Sequence, residues 1–163
     1  MRQHGYDLTL SIAGAAPSWG ERRYPARLKE LVIELELEEY VTFEGYVEDA
    51  AEWYRHIDIF VSNSYWEGQQ VALLEAMASG CYCVCHHWPG AEEIVPDSSL
   101  YTTASQMMRC LGEHCDLPEG EKRLRREHMR EIAVQRFDLE RVKKEIRDIV
   151  EQVDHTQSRI NQL

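Results

Sequence analysis

The chain has 163 residues, of which 44% are hydrophobic and 29% are charged, as is ordinary for a globular protein with a hydrophobic core. Its formal net charge of −11 argues against a nucleic acid or an anionic membrane surface as partner, because phosphate groups are bound by Lys and Arg. The amino end does not have the form of a signal peptide, and no apolar run approaches the ~20 residues that span a bilayer. We therefore expect a soluble, cytoplasmic protein without direct membrane insertion.

Predicted strands and helices alternate along the first hundred residues. Short apolar runs rich in β-branched residues predict strands, and apolar residues at helical spacing predict the helices between them. In chain order we expect a strand at 8–13, a helix at 22–37, a strand at 41–44, a short helix at 49–56, a strand at 57–61, a helix at 70–79, a strand at 81–85, a helical turn at 90–95 and a short strand at 99–101. This order predicts an α/β fold, a Rossmann-like doubly wound parallel sheet with helices on both faces.

From residue 105 onward the pattern is helical only, which predicts a C-terminal helical extension. One face of the final helix is apolar, with Leu139, Val142, Ile146, Ile149, Val150 and Val153. Residues 155–163 are polar, and we expect them to form a frayed tail. The expected organisation is therefore one domain over residues 1–154, followed by the tail 155–163.

The five cysteines are an odd number, which fits a reducing compartment better than a disulfide framework. Cys81, Cys83 and Cys85 alternate along one predicted strand, so they share a face at a spacing of about 6.6 Å, too wide for an easy bridge. A metal site with His86 and His87 is one interpretation. Packing of small apolar thiols under a helix is the other, and it is the favoured one.

In sheets of this class, ligands bind beyond the carboxyl ends of the strands. The loop 63–70 lies at such an end and leads into a predicted helix. A helix start offers unpaired backbone N–H groups and the positive end of the helix dipole, which together suit a phosphate group. Gly68 in this loop allows a close approach of the backbone. The sequence therefore predicts an anion site at the start of this helix.

Two glutamates flank the predicted anion site. Glu67 lies just before the helix, and Glu75 lies about five residues into it, roughly 7.5 Å along the axis. Ionised carboxylates only accept hydrogen bonds, so they suit hydroxyl groups and not phosphate. A diphosphate at the helix start, with one hydroxyl-rich ring on each side, would satisfy both. That ligand is a nucleotide sugar, whereas the plainer interpretation is a pair of solvated surface charges.

The run Glu67-Gly-Gln-Gln-Val-Ala-Leu-Leu-Glu75-Ala-Met-Ala resembles the Glu-x7-Glu motif of glycosyltransferase family 4, the glycosyl transferases group 1, whose usual form begins Glu-Gly-Phe-Gly. Further segments resemble that family in the same order, at 10–14, 41–47, 58–64, 89–95 and 136–142. The likeness covers about residues 8–153. The chain is therefore similar to the C-terminal, donor-binding domain of a GT-B-fold retaining glycosyltransferase.

By position, the resemblance implies a role for each matching residue. Glu67 would be the catalytic residue, contacting hydroxyls of the donor sugar and supporting the reacting centre, and Glu75 would bind the ribose hydroxyls. The remaining donor-binding candidates are Gly14, Val47, Asp49, Gly68, Gln69, Gln70, Val71 and Ala72. Val47 and Asp49 would border the base, which the resemblance leaves open among uridine, guanosine and adenosine. The family needs no metal, so no cofactor is expected besides the nucleotide sugar as co-substrate.

The chain also departs from the family. Gln69-Gln70 stands in place of Phe-Gly, and Pro89 replaces the first glycine of a later turn. The family's first strand and helix, which supply an Arg and a Lys for the diphosphate, have no counterpart here, and neither has its acceptor-binding N-terminal domain. We therefore expect a fragment or one subunit of a split enzyme, inactive as this chain alone. A missing domain or second subunit would hold the acceptor, a sugar or a lipid-linked glycan, and would make any peripheral contact with the inner membrane.

Several functions compete at this point. The chain is the donor half of a hexosyltransferase-type enzyme of polysaccharide or glycoconjugate biosynthesis, a non-catalytic nucleotide-sugar-binding or assembly module, or a remnant without a ligand. The presence of both Glu67 and Glu75 favours the first two. A dinucleotide oxidoreductase requires Gly-x-Gly-x-x-Gly after the first strand, which the segment from Gly14 to Gly20 does not provide.

Overall fold

The computed structural model describes residues 5–14 and 23–160. Most of the predicted loop after the first strand and the last three residues of the predicted tail lie outside the described residues. The chain forms two compact units, Met1–Trp53 and Tyr54–Leu163, and each is described by itself. The single domain predicted over 1–154 stays a prediction.

The first unit contains two parallel strands connected by a helix. Strand β1 is Leu10–Ala13, helix α1 is Arg23–Glu34 and strand β2 is Val41–Gly45. Leu10 pairs with Val41, and the register shifts after Ile12 so that Ala13 pairs with Gly45. Both strands run into glycines in the left-handed region, Gly14 at φ 128° and Gly45 at φ 68°. Only glycine adopts this region without strain, which explains why both strands turn sharply there.

The second unit contains a three-stranded parallel sheet in the order β3-β4-β5. Strand β3 is Ile59–Ser62, β4 is Tyr82–His86 and β5 is Leu100–Tyr101. Two short 3-10 turns, Ala91–Glu93 and Asp97–Ser99, connect β4 to β5. Because the strands are parallel and in register, their carboxyl ends lie at one edge of the sheet.

The helices are α2 at Ala50–Tyr54, α3 at Val71–Ser79, α4 at Ala104–Cys115, α5 at Glu119–Phe137 and α6 at Leu139–Ile160. Helices α3, α4 and α5 all contact β4, and α3 also packs along α5. A capping box begins α4, where Thr103 accepts from the backbone of Gln106 and Gln106 accepts from the backbone of Thr103. Gly80 ends α3 in the left-handed conformation at φ 94°, as predicted for a C-terminal glycine.

The core of the second unit is built around β4. Four of its five residues are buried, together with Leu73, Ala76 and Met77 of α3 and with Met129 and Ala133 of α5. Burial on both faces explains why this strand reads as an apolar run without hydrophilic alternation. A fully buried Leu or Met side chain contributes roughly 1.5–3 kcal/mol, so the contact of α3 with β4 is a principal source of stability.

The three strand cysteines belong to this core. Cys81, Cys83 and Cys85 are fully buried and unbridged, and burial raises the pKa of Cys81 to about 11 and that of Cys83 well above its usual value. Their thiols donate to backbone carbonyls, as from Cys81 Sγ to Tyr54 O at 3.3 Å. The spacing of the three cysteines therefore reflects packing of small apolar thiols, the interpretation that the sequence favoured. Among the described residues, no group of three or more His, Cys, Asp or Glu side chains is placed to hold a metal ion.

The α/β class with parallel strands, flanking helices and a C-terminal helical extension is confirmed. In detail, the described strands form a two-stranded and a three-stranded sheet, one in each unit, in place of one continuous sheet. Helix α6 continues to Ile160, through most of the segment expected to be a frayed tail. Of its predicted apolar stripe, all members but the half-buried Val142 are exposed. Within the described part of the chain, no helix has the length and apolar character to cross a bilayer.

Candidate functional site

The carboxyl ends of β3, β4 and β5 are tied together by Tyr101. Its hydroxyl lies 2.9 Å from the carbonyl oxygen of Ser62 and 3.0 Å from Oδ1 of Asn63, the first residue of the loop 63–70. The side chain is buried, and burial raises the pKa of Tyr101 to about 12, so it stays a neutral donor at physiological pH. The sequence did not single out this residue, and its place at the end of the last strand was the only available signal.

The amide of Gln70 closes the loop from its other end. Ser62 Oγ donates to Gln70 Oε1, and Gln70 Nε2 donates to Ser64 Oγ at 3.2 Å. Gln70 is also the N-cap residue of α3, yet its side chain makes no capping hydrogen bond. The amide therefore connects the end of β3 to the loop and leaves the helix start uncapped.

The start of α3 carries free backbone donors. The carbonyl of Gln70 accepts from the N–H groups of Leu73 and Leu74, at 3.2 and 3.3 Å. The N–H groups of Val71 and Ala72 have no acceptor within the described residues. The first turn holds no acidic side chain, so the positive end of the helix dipole is not neutralised locally. These are the properties of a site for an anion.

Glu67 and Glu75 both have carboxylates without a hydrogen bond or an ion pair to any described residue. Glu67 is half-buried in the loop, close enough to Cys85 to add to the effect of burial in raising the pKa of that thiol. Glu75 is exposed on α3 and reinforces burial in raising the pKa of Tyr54 to about 12. Each carboxylate therefore keeps its full capacity to accept hydrogen bonds from a ligand.

Gly68 lies between Glu67 and the helix start. A Cβ atom added to Gly68 would meet no atom within 4 Å, so the absence of a side chain is not required by packing of the protein itself. The space beside Gly68 is open to a ligand at the point where the predicted hydroxyl and anion sites meet. Gln69, the next residue, is exposed.

Two aromatic side chains precede Glu67. Tyr65 and Trp66 are 75% and 78% exposed, and the ring of Tyr65 lies over His86 with ring centroids 4.4 Å apart. His86 also meets Tyr101 edge to face at 5.5 Å, and its Nδ1 atom is buried without a partner among the described residues. His86, which the metal interpretation of the sequence included, thus lies half-buried between two aromatic rings.

The turn after β4 is held by contacts among its own residues. His87 Nε2 lies 3.4 Å from the carboxylate of Glu92, which also accepts from the backbone N–H of Gly90 at 3.1 Å. Gly90 has φ 102°, and a Cβ atom there would come within 3.2 Å of the buried ring of Trp88. Glycine is therefore required at the second position of this turn, although Pro89 replaces the first.

The remaining predicted site residues lie in the first unit. The N–H of Gly14 donates to Gly45 O at 2.7 Å, Val47 is half-buried, and Asp49 accepts from the N–H of Glu52 at 2.9 Å and so begins α2. The second unit brings together Glu67, Gly68, Gln69, Gln70, Val71, Ala72 and Glu75. The roles predicted for Gly14, Val47 and Asp49 stay predictions.

A parallel α/β fold with C-terminal helices and a Glu-x7-Glu pair around a helix start is typical of glycosyltransferases of the GT-B type. The model of the family described as glycosyl transferases group 1 matches residues 1–109. The chain belongs to this family.

Individual relatives agree with this assignment. The chain is 29% identical over 106 residues to the lipopolysaccharide core biosynthesis mannosyltransferase LpsB of Rhizobium meliloti (strain 1021), covering 59% of this chain and 30% of LpsB. It is 41% identical over 75 residues to mannosylfructose-phosphate synthase of Agrobacterium fabrum, covering 45% of this chain and 16% of that protein. The chain thus spans less than a third of the length of these curated relatives.

A solved structure shares the fold. The complex of Anabaena Alr3699/HepE with UDP superposes with a TM-score of 0.78 at 24% identity, over 89% of this chain and 41% of HepE. At this level of identity the likeness establishes the fold. The prediction of a glycosyl transferases group 1 chain with a GT-B fold is confirmed.

Proposed function

We propose that this chain is the donor-binding half of a retaining glycosyltransferase of the hexosyltransferase type. It transfers a sugar from a nucleotide sugar to an acceptor held by a further domain or a partner chain. The observation that carries the proposal is the pair of unpartnered carboxylates, Glu67 and Glu75, on either side of the uncapped start of α3.

The diphosphate occupies the start of α3. The free N–H groups of Val71 and Ala72 donate to its oxygens, and the helix dipole, equivalent to roughly half a positive charge, stabilises the negative charge of the leaving group. The open space at Gly68 admits the donor close to the backbone. We propose that no metal is needed, and that cations from outside this chain complete the neutralisation.

The two carboxylates bind the two rings. Glu75, exposed one turn into α3, accepts from adjacent ribose hydroxyls, for which two carboxylate oxygens are a suitable match. Glu67 accepts from hydroxyls of the donor sugar, and its negative charge favours the positive character that develops at the anomeric carbon. For Gly14, Val47 and Asp49 we propose the donor-binding roles that the family resemblance implies, with Val47 and Asp49 next to the base.

The relatives support the class of substrate. HepE has been solved with UDP, and LpsB carries the name of a mannosyltransferase of lipopolysaccharide core biosynthesis. These names support a nucleoside diphosphate hexose as donor and a sugar or lipid-linked glycan as acceptor. We place the chain in the cytoplasm, with contact to the inner membrane made through other parts of the enzyme, and we expect no turnover by the chain alone.

The test is a thermal-shift panel of the purified chain with UDP, GDP, ADP and their hexose conjugates. Ligand at 100 times its Kd stabilises by about 2.7 kcal/mol, which raises the Tm by several degrees in a domain of this size. Without ligand, the Glu75→Gln variant should have the same Tm as the wild-type chain. With ligand, most of the shift in Tm should be lost. No shift with any of these ligands, from well-folded chain, would contradict the proposal.

The second candidate is a non-catalytic nucleotide-sugar-binding or assembly module. The replacement of the motif's Phe-Gly by Gln69-Gln70 is the feature that favours it, since the loop is rebuilt beside the proposed reacting centre. The two candidates differ in the complete protein. Binding of the donor with no transfer to any acceptor would favour the module.

A further inference from the structure

The loop 63–70 is fixed by side chains and not by its own backbone. Gln70 bridges Ser62 at the end of β3 and Ser64 within the loop, through one accepted and one donated hydrogen bond. Ser62 is 1% exposed, so this bridge is anchored in the core of the sheet. Among the hydrogen bonds of the described residues, none joins backbone to backbone within 63–69.

The bridge also limits the hydrogen bonds that the amide of Gln70 can make to a ligand. Both ends of the amide are engaged within the protein, which leaves it one N–H of Nε2 and one lone pair of Oε1. In the motif that the chain resembles, a glycine stands at this position and has no side chain to make such a bridge. Gln69, the neighbouring amide, is exposed and makes no hydrogen bond to a described residue.

We propose that Gln70 is a positioning residue whose side chain holds the loop bearing Glu67 and Gly68 in the geometry that receives the donor sugar. The inference rests on the proposed function and goes beyond it in assigning the rigidity of the loop to the contacts of Gln70 with Ser62 and Ser64. Gln70 itself does not touch the reacting atoms. Tyr65, which packs on His86, is a second attachment of the same loop.

This assignment predicts a selective effect on the donor. The diphosphate and the ribose are bound by α3, which packs on β4 and α5 whether or not the bridge is present, whereas the sugar is bound by the loop. Loss of the bridge should therefore reduce the affinity for a nucleotide sugar more than the affinity for the corresponding nucleoside diphosphate. We expect roughly a 10-fold loss of affinity for the sugar conjugate and less than about 3-fold for the diphosphate, as two net hydrogen bonds would give.

The loop itself is tested without any ligand, by ¹⁵N order parameters of the amides of 64–69 in the 163-residue chain. A rigid loop has values of about 0.85, and a mobile loop has values below about 0.6. Gln70→Ala should bring the loop to the mobile range, and Gln69→Ala, which removes an adjacent amide without a partner, should leave it rigid. If Gln70→Ala does not fold, Ser64→Ala, which removes only one of the two contacts, decides the same question.

Affinities are then measured by calorimetry with the diphosphate and hexose conjugate that stabilise the wild-type chain best among the UDP, GDP and ADP series. A mobile loop together with the selective loss supports the proposal, and Ser64→Ala should add no loss in the Gln70→Ala background. A wild-type loop that is already mobile, or a Gln70→Ala chain with unchanged order parameters or equal losses for both ligands, would overturn it. Failure of the wild-type chain to bind any of these nucleotides counts against the proposed function. The order parameters still test, without a ligand, whether the contacts of Gln70 hold the loop rigid.

Discussion

His114 stacks face to face on Tyr82, with ring centroids 4.0 Å apart and ring planes only 1° from parallel. The histidine lies in the last turn of α4 and is 3% exposed, and its Nδ1 atom has no partner within the described residues. Burial, followed by the charges of Arg125, Arg126 and Lys122, lowers its pKa from 6.5 to about 4, against a smaller opposing effect of Asp58. The folded chain therefore holds this imidazole neutral.

The first prediction is a loss of stability in mild acid. The unfolded chain binds a proton at His114 below pH 6.5, and the folded chain does so only near pH 4. The contribution of His114 to the free energy of unfolding is therefore highest above pH 6.5 and decreases as the pH falls towards 4. At pH 5 the free energy of unfolding is lower by about 2 kcal/mol. Urea unfolding at pH 7 and at pH 5 measures the difference in the free energy of unfolding. In His114→Phe, which keeps an aromatic ring stacked on Tyr82, most of this difference should disappear. An equal pH dependence in His114→Phe would contradict this account.

The second prediction contrasts two glycines. Gly80 ends α3 at φ 94°, where alanine is strained, so Gly80→Ala should destabilise the chain by about 1 kcal/mol. Gly120 is the second residue of α5, with ordinary helical backbone and open space around it, so Gly120→Ala should stabilise by roughly 0.4–1 kcal/mol. Chemical denaturation of both variants provides the measurement. An unchanged or higher stability of Gly80→Ala would show that the left-handed cap does not require glycine at this position.

The third prediction concerns the contact between α3 and β4. Leu73 is 0% exposed, so Leu73→Ala leaves a cavity and should cost about 2–5 kcal/mol. Leu124→Ala removes the same atoms from a side chain that is 61% exposed, and its effect should stay within about 0.5 kcal/mol. Midpoints of urea unfolding compare the two. Equal, small costs would mean that the contact of α3 with β4 is not a principal source of stability.

Much of this fold is available from local patterns. Gly80 stops the helix that periodicity predicts, and the apolar run at 81–85 predicts the strand β4. Glu67 and Glu75 follow from the motif and the helix start between them. What stays hidden depends on register, since Tyr101 meets Ser62 across 39 positions of the chain, and Gln70 reaches Ser62 only because the loop folds back. Pattern and spacing also do not reveal that the described strands divide into two sheets.

The fourth prediction is that Glu67 acts in the transfer step. In the complete protein, Glu67→Gln keeps the shape of the side chain but removes the charge that favours the developing positive centre, so kcat should fall by about 10²–10³-fold. Because no described residue forms an ion pair or hydrogen bond with this carboxylate, the Tm should change by less than about 2 °C.

Glu121→Gln is the matched control, since Glu121 is an exposed carboxylate in the first turn of α5. It should leave both kcat and Tm close to the wild-type values. Transfer is measured with saturating donor, so that a change in donor affinity is separated from a change in the chemical step. A Glu67→Gln enzyme with wild-type kcat would remove Glu67 from the reacting centre. A large fall in Tm would instead mean that the carboxylate serves the fold.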